Sequence, residues 1–253
     1  MKKLALSLAF CLYASAQVLR VGITPYPNAT ILENIKDDLK ELGYELKIVE
    51  FNDYILPNLA LNDGELDANM YQHKPFLEDF NESKGTDLVA VANVFLPPMA
   101  AYSKKIKDLK ELKNGALVYI PNDPTNESRA LDILEAAGLI KTNKEVKFRS
   151  VIDITENPLN LDIKELEAAQ VPRVLDECDL AVINTNYALA AKLNPTKDSI
   201  YLEDLNSPYV NVIAVKKGNE NNEEVKALIK VIKTPKIKNL LEEQFKGAII
   251  PAF

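Results

Sequence analysis

Apolar runs alternate with amphipathic stretches along nearly the whole chain, and the two differ in period. Val18 to Ile23 has the apolar density of a strand. Asn28 to Leu42 spaces Ile31, Leu32, Ile35, Leu39 and Leu42 three or four apart, which predicts one helix capped by Asn28 and ended by Gly43. Glu45 to Phe51 reads as a second strand, followed by a short helix to about Leu61 and the turn Asn62-Asp63-Gly64. A third short strand leads into Asp67 to His73. A helix then opens with Pro75 and closes at Gly85, and Leu88 to Val94 is another strand. This β-α-β-α-β-α-β order predicts an α/β fold with a mostly parallel, doubly wound sheet.

The pattern then restarts. Met99 to Ser103 is strand-like, Ile106 to Leu112 a polar helical piece, Ala116 to Ile120 a strand, and Asn126 to Ala137 a helix ended by Gly138. Lys147 to Val151 reads as a strand, Ile163 to Ala169 and Pro172 to Asp176 as helical, and Leu180 to Asn184 as a strand. Tyr209 to Val215 is a late strand, and two terminal helices follow, the first with Val225, Leu228, Ile229 and Ile232 on one face. Two similar halves predict two lobes, with ligand held beyond the carboxyl ends of their strands. Pro97-Pro98 and Asn206 to Tyr209 are the expected crossings. Residues 17–98 with 207–253 then form lobe 1, and residues 99–206 lobe 2.

The N-terminus departs from this alternation. Lys2 and Lys3 precede the apolar run Leu4 to Tyr13, and Ala14-Ser15-Ala16 supplies small residues at a cleavage site. Residues 1–16 therefore read as a secretory signal peptide, too short to span a bilayer. The protein is expected to be exported and periplasmic. The alternative is a lipoprotein anchored to the membrane through Cys11, although Phe10 is bulky where a lipidation box expects a small residue. Cys178 is the only other cysteine, so removal of Cys11 leaves no partner for an internal disulfide. The net charge of -7 is spread without long runs, which argues against a nucleic-acid partner.

Candidate chemistry concentrates at strand ends. Ile120-Pro121-Asn122-Asp123-Pro124-Thr125-Asn126-Glu127-Ser128-Arg129 runs from a strand into a helix beginning near Thr125 or Asn126. Backbone N–H groups, the Asn126 amide and the Arg129 guanidinium then meet at one helix start, where a cation is locally unfavourable and asks for an anion. His73 is the only histidine and has no companions for metal ligation; its plainer reading is a hydrogen-bonded structural residue. With Tyr71, it could instead line one wall of a pocket. Asn184 can be a simple turn former or, through its carboxamide, serve a zwitterion. Asn211 lies inside an apolar strand and needs a partner, and Tyr54 divides between core packing and a pocket role.

Enzyme chemistry finds little support. Ser103, Ser128 and Ser207 lack a nucleophile-elbow context, one histidine would have to serve any of them, and the eight glycines are scattered without a phosphate loop. No cofactor or metal is expected.

Together these residues resemble the methionine-binding (NlpA-type) lipoproteins that deliver substrate to ABC importers. FNDYILPN at Phe51 to Asn58, DANMYQHKPFL at Asp67 to Leu77 and YSKKIKDLKEL at Tyr102 to Leu112 carry the resemblance. So do IPNDPTNESRAL at Ile120 to Leu131, ENPLNLDIKELEAAQVPR at Glu156 to Arg173, AVINTNYA at Ala181 to Ala188 and SPYVN at Ser207 to Asn211. The resemblance implies a two-lobed periplasmic-binding-protein fold of type II that closes on one amino acid, acting as a monomer with an inner-membrane ABC permease. It implies that Arg129, helped by Asn126, pairs bidentately with the ligand carboxylate. Asn184 and Asn211 would hold the α-carboxylate and ammonium, and Tyr54, Tyr71 and His73 would surround the thioether. Relatives often carry phenylalanine where Tyr71 stands and threonine where Asn186 stands. Both departures leave open another amino acid or a short methionine-containing peptide as ligand. A surface adhesin on the same fold is the reading from another class.

Overall fold

The structure is a computed structural model that describes residues 16–253, so the signal-peptide reading and Cys11 lie outside it but for Ala16. The first segment contains β1 (Gln17–Ile23), α1 (Asn28–Glu33), α2 (Lys36–Glu41), β2 (Tyr44–Glu50), α3 (Leu56–Asn62), β3 (Ala68–His73), α4 (Lys74–Lys84) and β4 (Leu88–Leu96). After Pro97-Pro98 come β5 (Ala100–Tyr102), β6 (Leu117–Pro121), α5 (Pro124–Ala136), β7 (Lys141–Thr142) and β8 (Ile154–Glu156). Then follow β9 (Asp162–Leu166), β10 (Leu180–Ile183), α6 (Thr185–Ala190) and β11 (Tyr201–Leu202). The chain returns through β12 (Asn211–Lys216), α7 (Glu223–Ile232), α8 (Pro235–Phe245) and β13 (Ile250–Pro251).

Two sheets organise two lobes. One has the order β13-β4-β12-β3-β1-β2 and the other β11-β5-β10-β6-β9. Both are mixed, where the sequence pattern predicts mostly parallel sheets. β1 runs parallel to β2 and β3, but β12 lies antiparallel between β3 and β4. β6 runs parallel to β9 and β10, but β5 opposes both β10 and β11. The crossings explain this. β4 leads directly into β5 and β11 leads back to β12, so each incoming strand enters its new sheet from the carboxyl edge and must run against it. The same geometry sets the carboxyl edges of the two sheets facing each other.

Strand alternation gives each sheet two buried faces. Ile213 and Val215 of β12 pack with α1, α2, α7 and α8, while Val212 and Ala214 pack with Leu61, Leu66 and Leu77. In the second lobe Leu180 and Val182 meet Ala130, Leu131 and Leu134 of α5, and Ala181 and Ile183 meet Val171, Leu175 and Ala188.

Several local expectations are corrected. The helix predicted over Asn28 to Leu42 is two short helices broken at Asn34-Ile35, with Pro27 rather than Asn28 at the N-cap. The stripe Ile31, Leu32, Ile35 and Leu39 is nevertheless fully buried, because the break keeps the apolar face on the sheet; Leu42 is exposed. Ile163 to Ala169 contains a strand, β9, at the outer edge of its sheet, where backbone pairing to β6 overrides a helix-compatible composition. Ile106 to Leu112 holds only a 3-10 turn at Leu109–Glu111, and the helical reading of Pro172 to Asp176 reduces to another at Val171–Val174. Lys147 to Val151 is not a strand; it leads into a turn at Val151–Asp153 fastened by Ser150 and Asp153.

Candidate functional site

Between the facing sheet edges lies a cavity, and all seven candidate residues line it: Tyr54, Tyr71, His73, Asn126, Arg129, Asn184 and Asn211. β3 ends in Tyr71 and His73, and β12 begins with Asn211 beside them, so one sheet edge presents three of the side chains. The opposite wall is the first turns of α5, with Asn126 and Arg129, and the N-cap of α6, Asn184.

The anions expected from a ligand at α5 are supplied first by the protein. Asp123 caps the helix, which begins at Pro124, one or two residues earlier than the sequence predicts. Its Oδ1 accepts from the Asn126 backbone N–H at 3.0 Å and from Thr125 Oγ1 at 3.1 Å. Both its oxygens accept from Asn126 Nδ2, at 2.9 and 3.0 Å. Burial raises the Asp123 carboxyl above the ordinary range against the pull of these donors. Arg129 is 2% exposed and meets Glu203 bidentately, Nε to Oε1 at 2.8 Å and Nη2 to Oε2. Nη2 also donates to the carbonyl of Pro97 at 3.0 Å, and the guanidinium stacks on Tyr209, 4.4 Å from the ring centre. The two-toothed face expected to hold a ligand therefore holds Glu203. Nη1 alone makes no hydrogen bond to a described residue.

His73 bridges the lobes. Its Nδ1 accepts from the Phe76 N–H at 3.1 Å and so caps α4, which places the proton on Nε2, 3.2 Å from Asn126 Oδ1. Burial, then the nearby Arg129 charge, lowers its pKa to about 3, and the ring is neutral. Asn126 Oδ1 also accepts from Asn184 Nδ2 at 2.8 Å. Asn126 and His73 thus spend their polar atoms on one another and on neighbours, as a frame for the cavity.

The aromatic wall is built from β3, the first turn of α4 and the loop before α3. Tyr54, Tyr71 and Phe76 pack with ring centres 5.9–6.3 Å apart. The Tyr71 hydroxyl donates to the Tyr54 carbonyl at 2.7 Å, and the Tyr54 hydroxyl to Asn186 Oδ1 at 2.6 Å in the other lobe. Burial raises both phenols well above their ordinary range, so both remain neutral donors. Beneath them Asn58, Asn69 and Gln72 share hydrogen bonds of 2.6–3.0 Å that fasten α3 to β3. This network accounts for Asn69 and Gln72 of the Asp67 to Leu77 string.

Three polar atoms on the wall keep capacity to spare. Among the described residues Arg129 Nη1 has no acceptor, Asn184 Oδ1 is buried with no partner, and Asn211 Oδ1 accepts nothing while its Nδ2 donates to the Tyr71 carbonyl at 3.1 Å. One cationic donor and two carbonyl acceptors complement a carboxylate next to an ammonium. Among the described residues no cluster of three or more His, Cys, Asp or Glu is placed to hold a metal ion. Sequence reasoning missed Asp123, Glu203 and Phe76 as parts of this site. Asp123-Pro124 is a readable N-cap and first-turn pair. No local signal links Glu203 to Arg129.

Comparison with known proteins gives the family. The NlpA lipoprotein family matches residues 19–253. Outer membrane lipoprotein 3 of Mannheimia haemolytica is 45% identical, over 93% of this chain and 90% of its own. The D-methionine-binding lipoprotein MetQ of Escherichia coli K12 is 43% identical, over 92% of this chain and 87% of its own. A nutrient binding protein from Burkholderia cenocepacia, solved bound to methionine, superposes with a TM-score of 0.91 at 44% identity, covering 93% of this chain and all of that one. With a family match spanning nearly every described residue and relatives this similar over most of their length, the chain belongs to the NlpA lipoprotein family.

Proposed function

We propose that this protein is an extracytoplasmic solute-binding protein that captures methionine between its lobes and presents it to the permease of an ABC importer. The carrying observation is the set of spare polar atoms: Arg129 Nη1 for the carboxylate, Asn184 Oδ1 and Asn211 Oδ1 for the ammonium. The aromatic wall of Tyr54, Tyr71 and Phe76 suits a polarizable thioether. The Tyr71 hydroxyl is engaged with the Tyr54 carbonyl, which supports an apolar side-chain subsite of the kind phenylalanine would give. Relatives named as binders of D-methionine, and a neighbour holding methionine, support the same ligand. The protein acts without chemistry, by capture and closure as a monomer.

Family membership also bears on the anchor. No helix among the described residues is long and apolar enough to cross a membrane. Of the two cysteines, Cys178 is fully buried, so a lipid would have to sit on Cys11 and hold the lobes in the periplasm at the membrane. Intact-mass analysis of the exported protein distinguishes an acylated Cys11 from a chain starting at Gln17. For the ligand, protein freed of co-purified small molecules is titrated calorimetrically with L- and D-methionine. Saturable heat with one of them is the expected result, and no heat with either would refute the proposal.

A further inference from the structure

Glu203 stands outside the cavity, yet it ties together everything that holds Arg129. Its Oε1 accepts from Arg129 Nε at 2.8 Å and from Ser207 Oγ at 2.9 Å, and its Oε2 from Arg129 Nη2 and from the backbone N–H of Met99 at 2.9 Å. Met99 follows the first crossing between the lobes, and Glu203 and Ser207 lie between β11 and β12, in the segment that returns the chain to the first sheet. Arg129 itself donates to Pro97 in the first. One carboxylate therefore clasps both crossings and engages Nε and Nη2 of the guanidinium, which leaves Nη1 without a partner among the described residues.

The charge balance has a consequence for the ligand. Around the cavity the cation Arg129 is matched by Glu203 within direct contact, and Asp123 adds a second carboxyl on the Asn126 side. His73 adds no charge. Where water is excluded, an anionic ligand would bring a charge with no partner, whereas a zwitterion brings none in sum. We propose that Glu203 is a positioning and specificity-determining residue that restricts this cavity to ligands carrying an ammonium beside the carboxylate. It acts through Arg129 without touching the ligand.

This inference rests on the methionine-binding reading, and its test separates the two. Dissociation constants are measured for L-methionine, for its 2-hydroxy acid (an anion of nearly the same shape) and for methioninol (a cation), on the wild-type protein, Glu203→Gln and Glu203→Asp. Wild-type protein should bind methionine most tightly and methioninol more tightly than the hydroxy acid. Glu203→Gln should narrow the preference for methionine over the hydroxy acid by about tenfold. Glu203→Asp, which keeps the charge and shortens the reach, should weaken both ligands while leaving their ratio unchanged. If the role were only structural, both variants would weaken both ligands in proportion, and an unchanged ratio in a folded Glu203→Gln protein overturns the inference. So does a wild-type protein that binds the hydroxy acid as well as methioninol, a result that needs no variant to fold. A wild-type protein that binds none of the three would instead defeat the methionine reading, and this inference with it.

Discussion

At the scale of single residues, Arg129 is held by its own protein before any ligand arrives, and this changes what its removal should do. Arg129→Ala leaves the Glu203 carboxylate, 9% exposed, without its partner, which should cost about 3–5 kcal/mol of stability in a denaturant melt. It should also weaken methionine binding by about 2–5 kcal/mol by calorimetry. The two losses separate in the double variant Arg129→Met with Glu203→Leu. An apolar pair of similar volume should restore most of the stability but none of the binding. His73 gives a second expectation at this scale. Its folded pKa of about 3 lies below the unfolded value near 6.5, so the unfolded chain takes up a proton first as pH falls. The stability that neutral His73 contributes is complete above pH 6.5 and is lost between about 6.5 and 3. Asn at this position can still cap α4 but does not titrate, so the melting temperature of His73→Asn should fall less steeply than wild type from pH 6.5 to 4. All seven residues that strand-end reasoning and resemblance selected line the cavity. Their division of labour was not legible, because it depends on Glu203, 74 positions away from Arg129, and no local pattern encodes such a pair.

Among the elements, the contact of α5 with β9 carries a feature that neither helix nor strand shows alone. Glu127 is 4% exposed on α5, accepts from the Val151 N–H at 2.9 Å and lies against the Glu165 carboxyl of β9. Burial first, then the hydrogen bond to Glu165, raises the Glu127 pKa to about 8. The sign is opposite to that of His73. The folded state binds the extra proton, so this contribution is present below pH 4.5 and is lost as pH rises through about 8. Glu127→Gln copies the protonated form, since its oxygen can keep the Val151 bond while its amide donates to Glu165. The variant should melt higher than wild type at pH 8, and at the same temperature at pH 4. Elements with a buried stripe were readable: α5, α7 and the alternating faces of β10 and β12 follow from 3.6- and 2-residue periods. β9 was not, because an edge strand needs only one neighbour. Its sequence, Asp-Ile-Lys-Glu-Leu, spaces apolar residues three apart like a helix turn. The break between α1 and α2 was hidden for a related reason: the stripe continues across it, so the pattern records the buried face and not the backbone.

For the whole molecule, the two lobes touch through few polar contacts besides the crossings. Tyr54 reaches Asn186 at 2.6 Å, His73 reaches Asn126 at 3.2 Å, and the Tyr187 hydroxyl donates to the Asn52 carbonyl at 3.2 Å. Each such bond adds only about 0.5–1.5 kcal/mol net, because both groups can hydrogen-bond to water when the lobes part. Their sum does not hold a cleft shut against the freedom gained on opening, and a ligand touching both lobes supplies the difference through its higher affinity for the closed form. Methionine addition should therefore shrink the radius of gyration measured by solution scattering. The Tyr54 hydroxyl gives the sharper test, since its bond to Asn186 exists only across the closed gap while the Tyr54 ring belongs to the aromatic wall. Tyr54→Phe keeps the ring and removes the bond. Capture by the open form precedes that contact, so the association rate should stay within about twofold, whereas release requires breaking it and should accelerate about 2- to 10-fold. Stopped-flow measurement of both rates decides the matter: a slower association with unchanged release would mean that the hydroxyl shapes the open site and plays no part in holding the lobes together.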